Sequence, residues 1–233
     1  MNTEFPARLL ALGAALTALS LLTGAAQPTP SQPEDVAEIE AEPVHPEAPL
    51  EVGDRAPDFK LRNAAGKWVD LASTLERGPV VLSFYRGVWC PYCNKELKGL
   101  EQALPKLEEL GATVLALSPE MRAHVKDNVK KNGLSFDLLS DKNNQVAKLF
   151  GVAFEMDERT VDKYENYGIN VAKHNGTRIH ELPIPATYVV DADGSIAFAF
   201  VEEDYTKRAK TKDIIRALET LAEQRAAAVE ADD

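Results

Sequence analysis

PVVLSFYRGVWCPYCNKEL, residues 79–97, is the decisive stretch of this 233-residue chain. Its first seven residues, Pro79 to Tyr85, form an apolar, β-rich run that reads as a buried strand. The only two cysteines follow, as Trp89-Cys90-Pro91-Tyr92-Cys93. Two thiols separated by two residues can close a local disulfide and open it again. Where such a pair opens a helix, the helix N-terminus stabilises the thiolate and lowers the pKa of the first sulfur. A thiolate attacks disulfides and peroxides; a thiol hardly does. A structural staple is the weaker reading, because closing so small a loop removes little entropy from the unfolded chain. With no further Cys as structural partner or metal ligand, redox chemistry is favoured over a structural or metal role.

After the cysteines, residues 94–110 carry Leu97, Leu100, Leu104 and Leu107 at helical spacing. Pro105 should kink or break that helix, and Gly111 should stop it. Residues 113–117, TVLAL, predict a second strand. Ser118-Pro119 predicts the cap and first residue of a helix that ends at Asn132-Gly133. Residues 136–139 predict a third strand, and Asp141 caps a short helix reaching Phe150. Residues 186–190, ATYVV, turn through Asp191-Ala192-Asp193-Gly194 into residues 195–201, a hairpin. Residues 211–229 predict a last amphipathic helix with Ile214, Ile215, Leu218, Leu221 and Ala222 on one face. This alternation predicts an α/β fold, a central mixed sheet with helices on both faces and an antiparallel edge from the hairpin. In such sheets the active site lies at the carboxyl ends of the strands, where Cys90 and Cys93 stand.

The net charge of −11 and the absence of Lys/Arg clusters argue against nucleic acid or an anionic membrane surface as partners. The N-terminus reads as an export signal over residues 1–26. Arg8 precedes the apolar run Leu9 to Leu22, and Thr23-Gly24-Ala25-Ala26 offers small residues for cleavage. Left uncleaved, the same segment would tether the protein to the inner membrane. Residues 27–49, rich in proline and acids, predict an extended linker. The folded domain is expected over residues 50–229, with a frayed acidic tail over 230–233. An exported protein whose only cysteines form such a pair belongs in an oxidising compartment, and the periplasm is the simplest assignment.

Three motifs together carry a family resemblance: Gly53-Asp54-Arg55-Ala56-Pro57-Asp58-Phe59, LSFYRGVWCPYCNKEL and PATYVVDADGSI. The chain resembles the thioredoxin fold, and within it a peroxiredoxin-like branch of the alkyl hydroperoxide reductase/thiol-specific antioxidant family that carries a thioredoxin-type CxxC. The resemblance covers roughly residues 50 to 225. It implies a thioredoxin-like fold and an antioxidant oxidoreductase that needs no cofactor. It places the peroxidatic cysteine at Cys93, with Cys90 where the family has Thr and Arg86 where it has Pro. Pro185 stands where the family carries a peroxide-polarising Arg. Three of the four peroxide-activating residues are therefore replaced.

The replacements resemble a thioredoxin. Cys90 follows Trp89, and Pro185 falls where thioredoxins carry a cis-proline facing the disulfide, so a cis Ile184–Pro185 bond is expected. The resemblance supports two cycles. In the first, Cys90 is an exposed nucleophile that attacks a disulfide, and the more buried Cys93 resolves the mixed disulfide. Arg86, four residues earlier, is a candidate tuner of Cys90. Pro91 and Tyr92 form the glutaredoxin-type dipeptide between them. In the second, Cys93 attacks peroxide and Cys90 condenses with the sulfenic acid. The partners expected are protein or small-molecule disulfides or peroxides, together with a thiol reductant or oxidant. A third reading, copper or other metal handling, would use the cysteines with His174 or His180. Residues 157–182 read as an insertion that either covers the active-site edge or is a surface excursion.

Overall fold

The computed structural model describes residue 46 and residues 48–231. The export signal and nearly all of the linker lie outside the described residues. Seven strands form one sheet in the order β2-β1-β5-β4-β3-β8-β9. They are β1 (Lys60–Asn63), β2 (Trp68–Asp70), β3 (Val80–Phe84), β4 (Thr113–Ser118), β5 (Asp137–Ser140), β8 (Ala186–Val190) and β9 (Ile196–Val201). Strands β3, β4 and β5 are parallel, while β1, β2, β8 and β9 extend the sheet antiparallel at its two edges. A short separate ribbon pairs β6 (Ala153–Glu155) with β7 (Glu181–Pro183). The sheet is central and mixed, as its sequence pattern predicts.

Strand β3 shows why the middle of the sheet is stable. All five of its residues are buried. Val80, Leu82 and Phe84 point into one core, with Leu115, Leu117, Phe150 and Tyr188. Val81 and, just beyond the strand, Tyr85 point into the opposite core. Strands buried on both faces read as continuous apolar runs rather than alternating ones. The second core is closed by α2 (Pro91–Glu109), α3 (Arg122–Asn132) and α7 (Thr211–Ala231). The first is flanked by α1 (Leu71–Leu75) and α4 (Gln145–Leu149).

Several local expectations are corrected. Helix α2 runs through Pro105 without ending. Interior proline costs roughly 3 kcal/mol, but Leu97, Leu100, Leu104 and Leu107 lie on both sides of it and are buried in one core. Burial of each is worth about 1.5–3 kcal/mol, so packing wins. Pro105 itself faces solvent, where water can satisfy the carbonyl it frees. Ser118 does not cap a helix. It is the last residue of β4, paired with Ser140 of β5, and α3 starts four residues later. Asp141 does act as a cap, though at a distance: its carboxylate accepts the N–H groups of Val146 and Ala147 in α4. Helix α7 extends to Ala231, into the expected tail. The antiparallel β1 and β2, and the β6–β7 ribbon, carry no periodic signal long enough to be read from sequence. The insertion contains α5 (Glu158–Asn166) and α6 (Val171–Asn175).

Candidate active site

Helix α2 begins immediately after Cys90, which occupies its cap position with an extended backbone. Cys90 Sγ accepts the Cys93 backbone N–H at 3.4 Å. Pro91 suits the first turn, since a residue there has no intrahelical acceptor for an N–H. Both sulfurs thus sit at the carboxyl end of β3, beside the positive end of a 19-residue helix. Both cysteines are free.

Two arginines divide the sulfurs between them. Arg86 Nη2 lies 3.5 Å from Cys90 Sγ. Arg208, from the segment before α7, donates from Nη2 to Cys93 Sγ at 3.3 Å. The pair is electrostatically asymmetric. Cys90 is lowered to about 5, first by the hydrogen bond from the Cys93 thiol and then by Arg86 and the Cys93 N–H, against the opposing effect of burial. Cys93 is raised well above the ordinary thiol range, first by burial and then by the Cys90 thiolate it faces. The proton of the couple therefore belongs to Cys93 and the charge to Cys90.

The expectation of an exposed Cys90 is corrected: both cysteines are fully covered. The cover is Arg86, itself only 4% exposed, and the aromatic rings that hold it. Its guanidinium lies 3.9 Å from the Tyr205 ring centroid, 5.3 Å from that of Trp89 and 5.7 Å from that of Tyr164. Arg86 Nη1 also donates to Tyr164 Oη at 2.6 Å. Tyr164 belongs to α5, so the insertion does reach the active-site edge. A substrate reaches Cys90 only when this cover moves.

Glu96, one turn beyond Cys93, accepts from Arg208 Nε at 2.6 Å and from Thr187 Oγ1 at 3.3 Å. Its burial pushes it up to about 7 despite the arginine. Tyr92, 42% exposed, stacks edge-on against Tyr205. Beside it opens a cavity of about 350 Å³ lined by Lys95, Glu96, Arg208, Lys210 and Ile214 among others.

Pro185 is buried at the same end of the sheet, directly before Ala186, which pairs with Phe84. Its preceding bond is trans, as are all peptide bonds among the described residues. Extended chain on both sides, β7 ending at Pro183 and β8 starting at Ala186, leaves no tight turn for a cis bond, and trans is the lower-energy form. Neither His174 nor His180 forms a metal group with the cysteines. Among the described residues no cluster of three or more His, Cys, Asp or Glu could hold a metal ion. His174 faces Glu120 instead, at 3.6 Å.

The sequence singles out Cys90, Cys93, Trp89, Arg86, Pro91 and Tyr92, and all stand around the two sulfurs. Glu96, Tyr164, Tyr205 and Arg208 are the residues it misses. Glu96 lies three positions after Cys93, a spacing that stacks side chains on one helix face. The other three come from segments more than 70 residues away in sequence, and only the fold brings them in.

The AhpC/TSA family model matches residues 52–199. The chain is 38% identical over 104 residues to a Haemophilus influenzae protein named as a peroxiredoxin, bcp, a match covering 45% of this chain and 66% of that one. It is 28% identical over 151 residues to thiol-disulfide oxidoreductase ResA of Bacillus thuringiensis subsp. konkukian, covering 64% of this chain and 69% of that one. These matches span about two thirds of the length of either curated relative. The crystal structure of peroxidoxin BcpB from Mycobacterium tuberculosis has the same fold, with a TM-score of 0.60 at 22% identity over 73% of this chain and 97% of that one.

Proposed function

We propose that this chain, which belongs to the AhpC/TSA family, is an exported thiol–disulfide oxidoreductase that cycles a disulfide between Cys90 and Cys93. The observation that carries this reading is the asymmetry of the two sulfurs. Cys90, at the start of α2 and beside Arg86, holds the negative charge, while Cys93 holds the proton. Likeness to a named oxidoreductase relative supports the same chemistry. The apolar segment at residues 9–22, followed by small residues, supports export.

In the forward half-cycle the Cys90 thiolate attacks one sulfur of a substrate disulfide. The substrate S–S bond breaks, its electron pair leaves with the departing thiolate, and a mixed disulfide forms at Cys90. Cys93 then gives up its proton and attacks the Cys90 sulfur. The second substrate thiolate leaves, and Cys90–Cys93 closes. The protein dithiol is oxidised by two electrons and the substrate disulfide is reduced by two. Arg208 stabilises the transient Cys93 thiolate from 3.3 Å. The same steps reversed make the oxidised protein a donor of disulfides. A low first-cysteine pKa stabilises the reduced form and makes the disulfide more oxidising. The cavity beside Tyr92 gives a substrate room to approach the helix start.

Arg208 favours a second reading, a thiol peroxidase. It puts a guanidinium against Cys93 although the family's usual position holds Pro185. Cys93 thiolate and a hydroperoxide, with one proton, would give sulfenic acid and an alcohol or water. Cys90 thiolate, with a second proton, would then close the disulfide and release water. The raised pKa of Cys93 opposes this. The two readings separate on the reduced protein lacking residues 1–26. Exchange predicts rapid reduction of a small disulfide, lost in Cys90→Ser, and hydrogen peroxide consumption no faster than a simple thiol. A peroxide rate far above that level, lost in both Cys93→Ser and Arg208→Ala, would establish the peroxidase instead.

A further inference from the structure

Glu120, just beyond β4, is fully buried and has no part in the exchange steps above. Its Oε2 accepts the Val88 N–H at 2.9 Å, and its backbone carbonyl accepts the Ser140 hydroxyl at 2.6 Å. Val88 lies two residues before Cys90, so this carboxyl fixes the loop that carries the nucleophile. The other carboxyl oxygen, Oε1, receives no hydrogen bond, and neither Trp89 Nε1 nor His174 Nδ1 has a partner, although all three atoms are buried. His174 Nδ1 lies 3.6 Å from Oε1. The main chain crosses this cluster at Gly87. A Cβ there would meet Trp89 Nε1 at 2.4 Å and the Glu120 carboxyl at 2.9 Å, so only glycine fits. Helix α6 is tied to the same place, since Met121 N donates to the His174 carbonyl at 3.0 Å.

Unpaired polar atoms are rare in protein interiors and costly. Their convergence on a single carboxyl oxygen beside the active-site loop is therefore informative. A proton on Oε1 could be given to His174 Nδ1, and the His174 side chain, 26% exposed, leads toward water.

We propose that Glu120 is the proton store of the Cys90–Cys93 couple: it holds a proton while Cys90 is a thiolate and releases it through His174 when Cys90 enters the disulfide. This rests on the exchange reading. A charge on Cys90 and a charge on Glu120 disfavour one another, so the carboxyl gives up its proton more readily once Cys90 is in the disulfide. Burial pushes Glu120 up to about 8, and the Cys90 charge adds to the rise. His174 is pushed below the usual imidazole range by burial and by His124 and Lys173, so it passes a proton on rather than keeping it. Tyr85 faces the carboxyl from the end of β3, Cys90 from the cap of α2 and His174 from α6. The balance is complete. Closing the disulfide removes two electrons, one proton from Cys93 and one from Glu120, and the substrate disulfide takes up all four to become two thiols.

The test is the pH dependence of the midpoint potential of the full domain, together with the redox-difference infrared spectrum. Just below pH 8 the wild type should take up more than one proton per two electrons, the excess coming from Glu120. Glu120→Gln, which retains an acceptor for Val88, should take up one, lowering the slope. The protonated-carboxyl band of the reduced wild type should weaken on oxidation, persist in reduced Glu96→Gln and be missing from Glu120→Gln. An unchanged slope in Glu120→Gln, or a band that follows Glu96, overturns the proton store alone. Absence of any reversible dithiol–disulfide couple overturns the exchange reading and the store with it. The infrared result on the wild type and Glu96→Gln stands even if Glu120→Gln does not fold.

Discussion

Cys93→Ser is expected to turn the protein into a trap that accumulates stable mixed disulfides at residue 90. Cys90→Ser is expected to lower disulfide exchange to the uncatalysed rate. Both outcomes follow from where the charge sits. Changing Cys93 removes the thiol hydrogen bond that lowers Cys90 most, but Cys90 keeps its cap position, the residue 93 backbone N–H and its Arg86 neighbour. It therefore still attacks. What is lost is the second thiol, the only group able to expel the bound substrate thiolate. The reverse change leaves Cys93, whose pKa is raised by burial, and at neutral pH it stays protonated and inert. Mass spectrometry of protein reacted with a peptide disulfide reads both results. Mixed disulfides accumulating on Cys93 in the Cys90→Ser variant would reverse the assignment.

The asymmetry between the sulfurs was partly legible in the sequence. A β-rich apolar run ending in CxxC, followed by leucines at helical spacing, fixes the strand, the helix and the position of Cys90 at the helix start. The paired strands β3, β4 and β5 and the β8–β9 hairpin were legible for the same reason: each is a compact apolar run bounded by turn residues. The closing of the site was not. Arg86 reads from its spacing as a candidate tuner of Cys90, but nothing on the chain announces its burial, which comes from Trp89 and from rings of α5 and of the segment after β9. No local pattern announces a contact between Arg86 and Tyr164, 78 residues apart. Arg208 and Glu96 show the same limit across 112 residues. Pro105 and Ser118 failed differently. There the local rule was correct, but buried leucines and sheet pairing outweighed it.

Arg86→Ala should raise the Cys90 pKa by about 1–3 units, the usual effect of an opposite charge within contact distance. At pH 6 the wild-type thiolate is nearly fully formed, so exchange at that pH should fall in the variant by a factor between about two and about a hundred across that range, with much less loss near pH 9. The sign follows from the direction of the shift. A group held below its ordinary pKa favours the folded, reduced protein most above the unfolded thiol range, and that contribution is lost as pH falls through about 5. Weakening the shift raises the pH at which it is lost. Arg86→Lys keeps a charge but not the planar contact with Tyr205, so it should recover part of the shift while loosening the cover. Thiolate ultraviolet absorbance against pH measures the shift. An unchanged midpoint in Arg86→Ala would show that the Cys93 thiol and backbone N–H alone hold the charge.

The most direct test is site-resolved alkylation of the reduced protein across pH, with each cysteine quantified by peptide mapping. The account predicts labelling of Cys90 with a midpoint near 5 and no appreciable labelling of Cys93 at neutral pH. Labelling of Cys93 first, or a Cys90 midpoint in the ordinary thiol range, would contradict it.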